Sequence, residues 1–388
     1  MLFTENWELF LYNFNFFYFL SEISNYLYLI IILCFCTYFK LVEKKYFLFW
    51  VFFFVSPLFI NYVLFDPKYL IDQFLYVRQM NEFRSNGLGL VELQSYEGLK
   101  RSRVQMSTIL LSFFPVISYL TVTSLAFVNK LISFALFIFL TKRIDSSKII
   151  LFFIIPSLIL YSSVSLRDML VVALSVVSLI YLIEKKALLS LIFIVLMSIT
   201  KIQNAPGYIV MWLFLFFFFV QKSYLRLFVI GSSSLVAIIL LFDQYEFFIN
   251  SYRMAYALED GMPLGEVSKL KIESGLDLIT TTLRELPFFL FKPLPWQISN
   301  SFQLFVFIEC VVLMFLFYKI VLKDFLFLTT KECTVLFVGF LICMGIYTIT
   351  GFNTGTLSRY RFVAFFPFLI GFYYIRTLYG SSKTIPQT

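Results

Sequence analysis

Uninterrupted apolar runs of helix length recur from one end of this chain to the other, and no other feature restricts its fold as much. A bilayer core about 30 Å thick is crossed by roughly 20 apolar residues in a helix. Runs that fit this requirement fall at 24–40, 46–65, 119–141, 148–164, 168–184, 187–200, 206–221, 224–242, 302–322, 333–350 and 360–377. They are uniformly apolar rather than alternating in short segments, which argues against a β-barrel. Charged residues make up only 14% of the chain, against about 25% in an ordinary soluble domain. Phe and Tyr take their place, and a stretch such as Phe216 to Phe219 reads as lipid-facing surface. The expected fold class is an all-α polytopic integral membrane protein, with about 11–12 transmembrane helices in one transmembrane domain over 1–388. An aromatic segment near 7–20 fits either a short twelfth span or an interfacial helix. No cleavable signal peptide is expected, because a basic stretch and a small-residue cleavage site are missing from the first segment.

Charge then orients the spans. The short connections carry Lys40, Lys44 and Lys45, then Lys142, Arg143 and Lys148, then Lys185 and Lys186, then Lys222 and Arg226, then Lys319, Lys323 and Lys331. By the positive-inside rule these lie in the cytoplasm, and Arg376 and Lys383 place the C-terminus there. Two long loops, 66–118 and 243–301, fall on the opposite face. The segment 106–117 within the first loop reads as a re-entrant or interfacial helix, since counting it as a span would spoil the charge pattern. The second loop reads as amphipathic helices punctuated by Pro287, Pro293 and Pro295 and ending near Trp296, lying in the membrane interface.

The cytoplasmic connections are rich in Lys, whereas the outer face carries Arg78, Arg84, Arg101, Arg103, Arg167, Arg253, Arg284, Arg359 and Arg361. Topology is indifferent to which cation is used. A guanidinium grips phosphate or carboxylate with two parallel hydrogen bonds, which an ammonium does less well. Arg167 follows Ser163-Val-Ser165-Leu and opens a span together with Asp168. Arg359, Tyr360 and Arg361 open the last span after Gly355-Thr-Leu-Ser358. A cation is misplaced at a helix N-terminus, so these arginines call for an anionic partner, and two such termini make a strong anion site if they converge. The competing explanations are a salt bridge from Arg167 to a loop acid and Arg361 snorkelling to lipid head groups. Arg253, Arg284 and Arg78 are further candidates to reach the same anion. Within the bilayer, Lys130 and Glu309 are costly isolated charges for which pairing is the default expectation.

The chain has no histidine. That removes the usual general base and every Ser-His or Cys-His nucleophile system. The remaining proton acceptors are carboxylates, of which Asp168, Asp72 and Glu82 lie nearest the candidate arginines. No D-x-D, D-x-E or E-x-D triplet occurs, so no metal site and no cofactor is expected. The five cysteines fall in or beside apolar spans and imply no disulfide framework.

Taken together, SLRDMLVVALSVVSLIYLIEKK, the P-x-P-W loop end and TGTLSRYRFVAFFPFLI resemble bacterial Wzy-type O-antigen and exopolysaccharide polymerases, over most of the chain from about residue 66. The resemblance implies a GT-C-like architecture with two periplasmic loops in the bacterial inner membrane. It implies an enzyme of lipopolysaccharide or related polysaccharide biosynthesis. Repeat units linked to undecaprenyl pyrophosphate would be joined on the periplasmic side, with release of undecaprenyl pyrophosphate and no metal. The implied partners are that lipid-linked oligosaccharide, membrane lipid, and a chain-length regulator and flippase of the same pathway, with no nucleic acid. A lipid-linked oligosaccharide flippase, or a ligase-like glycosyltransferase, shares much of this composition. The former would favour internal repeats; the latter is associated with a histidine that this chain lacks. The topology makes a direct prediction. In a cysteine-free background, single cysteines placed in 66–118 and 243–301 react with an impermeant reagent applied from outside, and one placed near 185 does not. The reverse pattern overturns the orientation.

Overall fold

The computed structural model describes residues 16–61, 72–86, 106–117, 121–221, 242–259, 263–267, 270–323, 330–350 and 354–382. Arg101 and Arg103, the expected span over 224–242 apart from its last residue, and Lys383 lie outside them. Every regular element among the described residues is helical. Five helices are long and apolar enough to cross a membrane, at Leu20–Tyr38, Ser124–Thr141, Ser301–Leu322, Lys331–Ile349 and Gly355–Tyr379. Shorter apolar helices cover Asp168–Ile183 and Ala187–Thr200. The chain is a polytopic helical membrane protein. Its exposed aliphatic and aromatic side chains, among them Phe35, Phe52 and Leu188, suit a surface solvated by lipid.

The chain divides into two units, 1–173 and 174–388. The first contains α1 (Phe16–Tyr38), α2 (Phe47–Phe59), α3 (Asp72–Asn86), α4 (Ser124–Thr141), α5 (Ser146–Phe153), α6 (Pro156–Ser162) and the start of α7 (Asp168–Ile183). Its core is organised by Trp50, fully buried, whose ring meets Phe53, Phe54, Phe134, Phe137 and Phe153 at centroid distances of 4.8 to 5.6 Å. These are tilted and edge-on contacts, the geometry that aromatic quadrupoles prefer. Asp145 caps α5 by accepting from the Ser147 amide at 3.0 Å, a role that satisfies one of the helix's orphan donors.

One expected span is corrected here. Residues 148–164 do not form a continuous helix: α5 ends at Phe153 and α6 begins at Pro156. The proline ring would clash with the carbonyl four residues back and offers no amide to it. The residue before it, Ile155, is driven to an extended conformation (φ −58, ψ 130), and Pro156 takes the first helical position. The turns after α1 and α7 place Lys40 (φ 58) and Lys185 (φ 62) in the left-handed region. Leu41 donates to Cys36 O and Lys186 to Tyr181 O, both at 2.8 Å, which closes a Schellman motif each time. The lysines occupy a site usual for glycine, and their charge complements the helix C-terminus. Nearby Glu43, hydrogen-bonded by Lys45 and Ser146, holds its carboxyl below the usual range.

The second unit continues through α7 into α8 (Ala187–Thr200), α9 (Ala205–Gln221), α10 (Phe242–Glu259), α11 (Gly275–Phe291), α12 (Ser301–Phe317), α13 (Lys331–Thr350) and α14 (Thr354–Ser382). Here Pro287 does not end the loop helix, since α11 runs through it to Phe291. α9 and α13 approach closely where Gly207 faces Gly339. A Cβ on Gly207 would lie 2.3 Å from Cys343 Sγ and 3.0 Å from the backbone carbonyl oxygen of Gly339, whereas the three atoms nearest to one on Gly339 all belong to the unbranched side chain of Met211, at 2.2 to 2.9 Å. Phe317, Phe340, Phe365 and Phe368 fill the space between α12, α13 and α14.

Overpacking at a rigid contact costs typically about 1–3 kcal/mol, less where a side chain can yield. Gly207→Ala is therefore expected to lower the thermal midpoint of the detergent-solubilised protein clearly more than Gly339→Ala. Equal midpoints for the two variants would refute this account of the α9–α13 contact.

Candidate functional site

Within the first unit, the chain between α6 and α7 is not helical, yet Ser163, Val164, Ser165 and Leu166 are all buried. Such a stretch inside an apolar bundle has to find hydrogen-bond partners among side chains. It does. Asn61 Nδ2 donates to Ser163 O at 2.7 Å, and Asn129 Nδ2 donates to Val164 O at 2.8 Å and to Leu166 O at 2.7 Å. The Ser165 amide donates to Gln73 Oε1 at 2.9 Å, and its hydroxyl takes the Ala126 amide at 3.1 Å while donating to Val122 O.

This turn delivers Arg167 and Asp168. Arg167 stands at the cap of α7, its carbonyl accepting from the Val171 amide at 3.1 Å. Its Nη1 donates to Ser107 Oγ at 3.3 Å, and its guanidinium lies 5.8 Å from the centre of the Tyr76 ring. Asp168 is fully buried. The first long loop therefore docks on the turn through Gln73 and Tyr76 of α3 and through Ser107, in a helical stretch over 106–112. Asp72 and Arg78 of α3 are exposed, and the side chain of Glu82 lies outside the described residues, as does that of Arg84. Of the three expected carboxylates, the structure brings Asp168 to Arg167 by chain continuity and leaves Asp72 at the surface.

In the second unit the expected arginines have separate situations. Arg284 is exposed, with a long 3.9 Å contact to Glu285. Arg253 is buried and fully engaged: it grips Glu285 with Nη1 at 3.2 Å and Nη2 at 2.7 Å, Leu270 O with Nε at 2.9 Å, and Ile349 O with Nη1 at 3.0 Å. The fork expected to reach a ligand instead ties α10 to α11 and to the end of α13. Arg359 and Arg361 are not at a helix N-terminus, because α14 already begins at Thr354 and Arg361 lies about two turns inside it. Arg361 is completely buried rather than snorkelling to lipid, and its Nη1 donates to the carbonyls of Phe289, Leu290 and Lys292. It sits on the C-terminus of α11, where a cation is favoured by the unpaired carbonyls and their dipole. Arg167 belongs to the first unit, and Arg359 and Arg361 to the second.

The buried charges of the spans are accommodated within their own units. Lys130 Nζ donates to Ser162 Oγ at 2.8 Å and stands 3.7 Å from the Phe53 ring centre. Glu309 accepts from Ser358 Oγ at 2.6 Å. Sequence reasoning missed one cluster. Lys201, in the break between α8 and α9, is buried with Nζ 4.5 Å from the Tyr360 ring centre and 5.3 Å from that of Tyr347. Tyr347 in turn donates to Asn204 Oδ1. Tyr360 was singled out only as a neighbour of arginine; its part in a cation–π pair depends on a partner far away in sequence. Among the described residues no three His, Cys, Asp or Glu side chains converge as metal ligands would.

Comparison with protein-family models, with characterised proteins and with solved structures finds no match to this chain.

The contrast between two arginines of the second long loop is directly testable. Removing one partner of a buried pair costs about 3–5 kcal/mol, and exposed substitutions stay within about 0.5 kcal/mol. With Glu285 partly exposed, Arg253→Ala is expected at the low end of that range and Arg284→Ala near zero, read as thermal or denaturant unfolding in detergent. A neutral Arg253→Ala would show that the fork is not structural.

Proposed function

We propose that this chain is a membrane glycosyltransferase, a polymerase of O-antigen or a related surface polysaccharide. It joins repeat units carried on undecaprenyl pyrophosphate and works on the periplasmic side of a bacterial inner membrane. The observation that carries the reading is the buried turn 163–167. It holds Arg167 and the buried Asp168 at the start of a membrane helix, under a long loop that reaches Arg167 with Tyr76 and Ser107. A polymerase of this kind must stabilise a pyrophosphate as it leaves and must accept a proton from the attacking hydroxyl. A cationic donor fixed at a helix N-terminus meets the first need, because its interaction strengthens as charge develops. In a chain without histidine a carboxylate meets the second, and Asp168 is the one adjacent to Arg167. Arg253 and Arg361 support the reaction by holding the second long loop to the bundle.

A second reading, a flippase for the same lipid-linked oligosaccharide, draws on the same broken helix, since interrupted membrane helices are a recurring way to build a transport site. Chain elongation separates the two. In membranes supplied with lipid-linked repeats and excess chelator, the polymerase reading expects long glycans on the carrier lipid. Loss of a donor aimed at developing charge typically costs about 10²–10³ in rate. Arg167→Ala should lose about that much, and Arg167→Lys should recover only part, because the point charge survives and the fork does not. Normal elongation by Arg167→Ala at normal membrane levels defeats the assignment of Arg167. Elongation that stops with chelator and returns with Mg²⁺ defeats the metal-free mechanism.

A further inference from the structure

Three contacts fix the path of α11 beside the spans of the second unit. Near its start, Leu278 packs in a cluster with Phe242 and Ile272, against which Ile349 at the end of α13 also packs. One turn further on, Thr282 stands beside Gly345 of α13, where an added Cβ would lie 3.3 Å from the threonine Cγ2. At the far end, the carbonyls of Phe289, Leu290 and Lys292 receive Arg361 Nη1 of α14, and Leu290 O also receives Cys310 Sγ of α12 at 2.7 Å. α12 and α14 run in the same direction, Ser358 meeting Glu309 and Arg376 meeting Lys319 O. α13 runs against α14, with Tyr347 at Tyr360 and Glu332 at Tyr379. The starts of α12 and α14 and the end of α13 therefore share one face. A rise of about 1.5 Å per residue puts Gly345 about 7 Å below that face, Arg361 about 10 Å and Cys310 about 13 Å.

We infer that α11 is a re-entrant helix, which descends from this face into the membrane, lays its outer side against the acyl chains of that leaflet, and is held at its deep end by Arg361. A helix lying flat in the interface, as the amphipathic pattern suggests, would not pass from Ile349 to Arg361. A helix that ends inside a bilayer must have its last carbonyls satisfied. Arg361 and Cys310 do this, the Lys292 amide donates to Phe288 O at 3.0 Å, and the buried Pro293 has no amide to satisfy. The chain from Lys292 to Asn300 then returns to the start of α12, a climb that an extended segment at about 3.3 Å per residue covers easily. Leu276, Leu283, Phe288 and Phe291 of α11 are exposed. Over the same depths Leu304, Ile308 and Val311 form the exposed face of α12, itself long and apolar enough to span, so lipid is the solvent there. The cations of the segment conform. Arg284 has a stem long enough to bring its charge to the head groups, and Lys292 already turns back one turn, its ammonium 5.0 Å from the Phe288 ring centre. Trp296, exposed on the returning strand close to α12, suits the interface.

The test uses the full chain in phosphatidylcholine nanodiscs with Cys34→Ser and Cys36→Ser, the other three cysteines being buried. Nitroxide labels are introduced singly through Leu276→Cys, Leu283→Cys and Phe291→Cys. Depth is read from collisions with oxygen, which concentrates in the bilayer, against collisions with a water-soluble nickel chelate. Roughly 10 Å of helix separates successive labels, so each is expected to lie about 5 Å or more deeper than the one before. Equal depths at the three positions would show a helix lying flat and overturn the re-entrant path. Free access of the nickel chelate at 291 would show that the outer side lines water, and shielding from both agents would show that another protein segment covers it. Either result overturns the lipid contact. In Arg361→Ala the label at 291 is expected to move about one turn, ~5 Å, toward the surface while the label at 276 stays in place. An unchanged depth at 291 would remove the anchoring role of Arg361. Should that variant fail to insert, the depth profile with Arg361 intact still decides the path. A lipid-facing α11 serves chain elongation and transport alike, so its failure would leave the polymerase reading where it stands.

Discussion

Every departure from helix inside this protein has to satisfy its own backbone, and the polar side chains of the apolar spans are placed for that purpose. In lipid an unpaired peptide group costs several kcal/mol, so a break such as 163–167 exists only because Asn61, Asn129 and Gln73 stand beside it. Their amides reproduce the donors and acceptors that a continuing helix would have supplied. The break in turn frees Arg167 to sit at the head of α7 rather than along its side. Site geometry and fold stability are the same hydrogen bonds here, and the asparagines carry both.

The arginines obey the same constraint from the opposite direction. The excess of Arg over Lys on the expected outer face invites an explanation by anion recognition. Several of these side chains instead close helix ends. Arg361 takes three carbonyls at the end of α11, and Arg253 takes Ile349 O at the end of α13. Outside that set, Arg376 takes Lys319 O and Ile320 O beside α12. Five donors on a rigid plane can satisfy several carbonyls and still pair with a carboxylate, as Arg253 does with Glu285. An ammonium on a flexible stem is poorer at this. Carbonyl capping therefore accounts for part of the arginine bias without any ligand.

The membrane class was legible because it depends on run length and charge, which are local. The SVSLRD turn stands out in the sequence through a cation where the helix dipole opposes it, and the structure places Arg167 at the cap of α7. The broken span at Pro156 was legible in principle, since a proline within an apolar run marks a boundary. Uniform hydrophobicity masked it, because a span and two short buried helices share that composition. The N-terminal placement of Arg361 failed for a different reason. Helix α14 starts earlier than the apolar run, through the polar residues from Thr354 to Ser358. The carbonyls that Arg361 caps lie about seventy residues away, and no local pattern announces them. The aromatic cluster around Lys201 escaped notice for the same cause, its two tyrosines being supplied by α13 and α14.

Four buried charged side chains in the described spans and turns show a common solution. Lys130 is met by a hydroxyl and a phenyl ring, Lys201 by two tyrosine rings, Glu309 by a serine hydroxyl, and Arg361 by carbonyls. Each of these contacts is a dipole or a π face, which offsets part of the desolvation cost of an ion. For Lys130 the expected pairing is met by a hydroxyl at 2.8 Å and a phenyl ring at 3.7 Å rather than by a carboxylate. Such neutral partners lower the cost of burying a cationic side chain without bringing a second charge out of water, and that suits a lysine placed among the aromatic side chains of an apolar bundle.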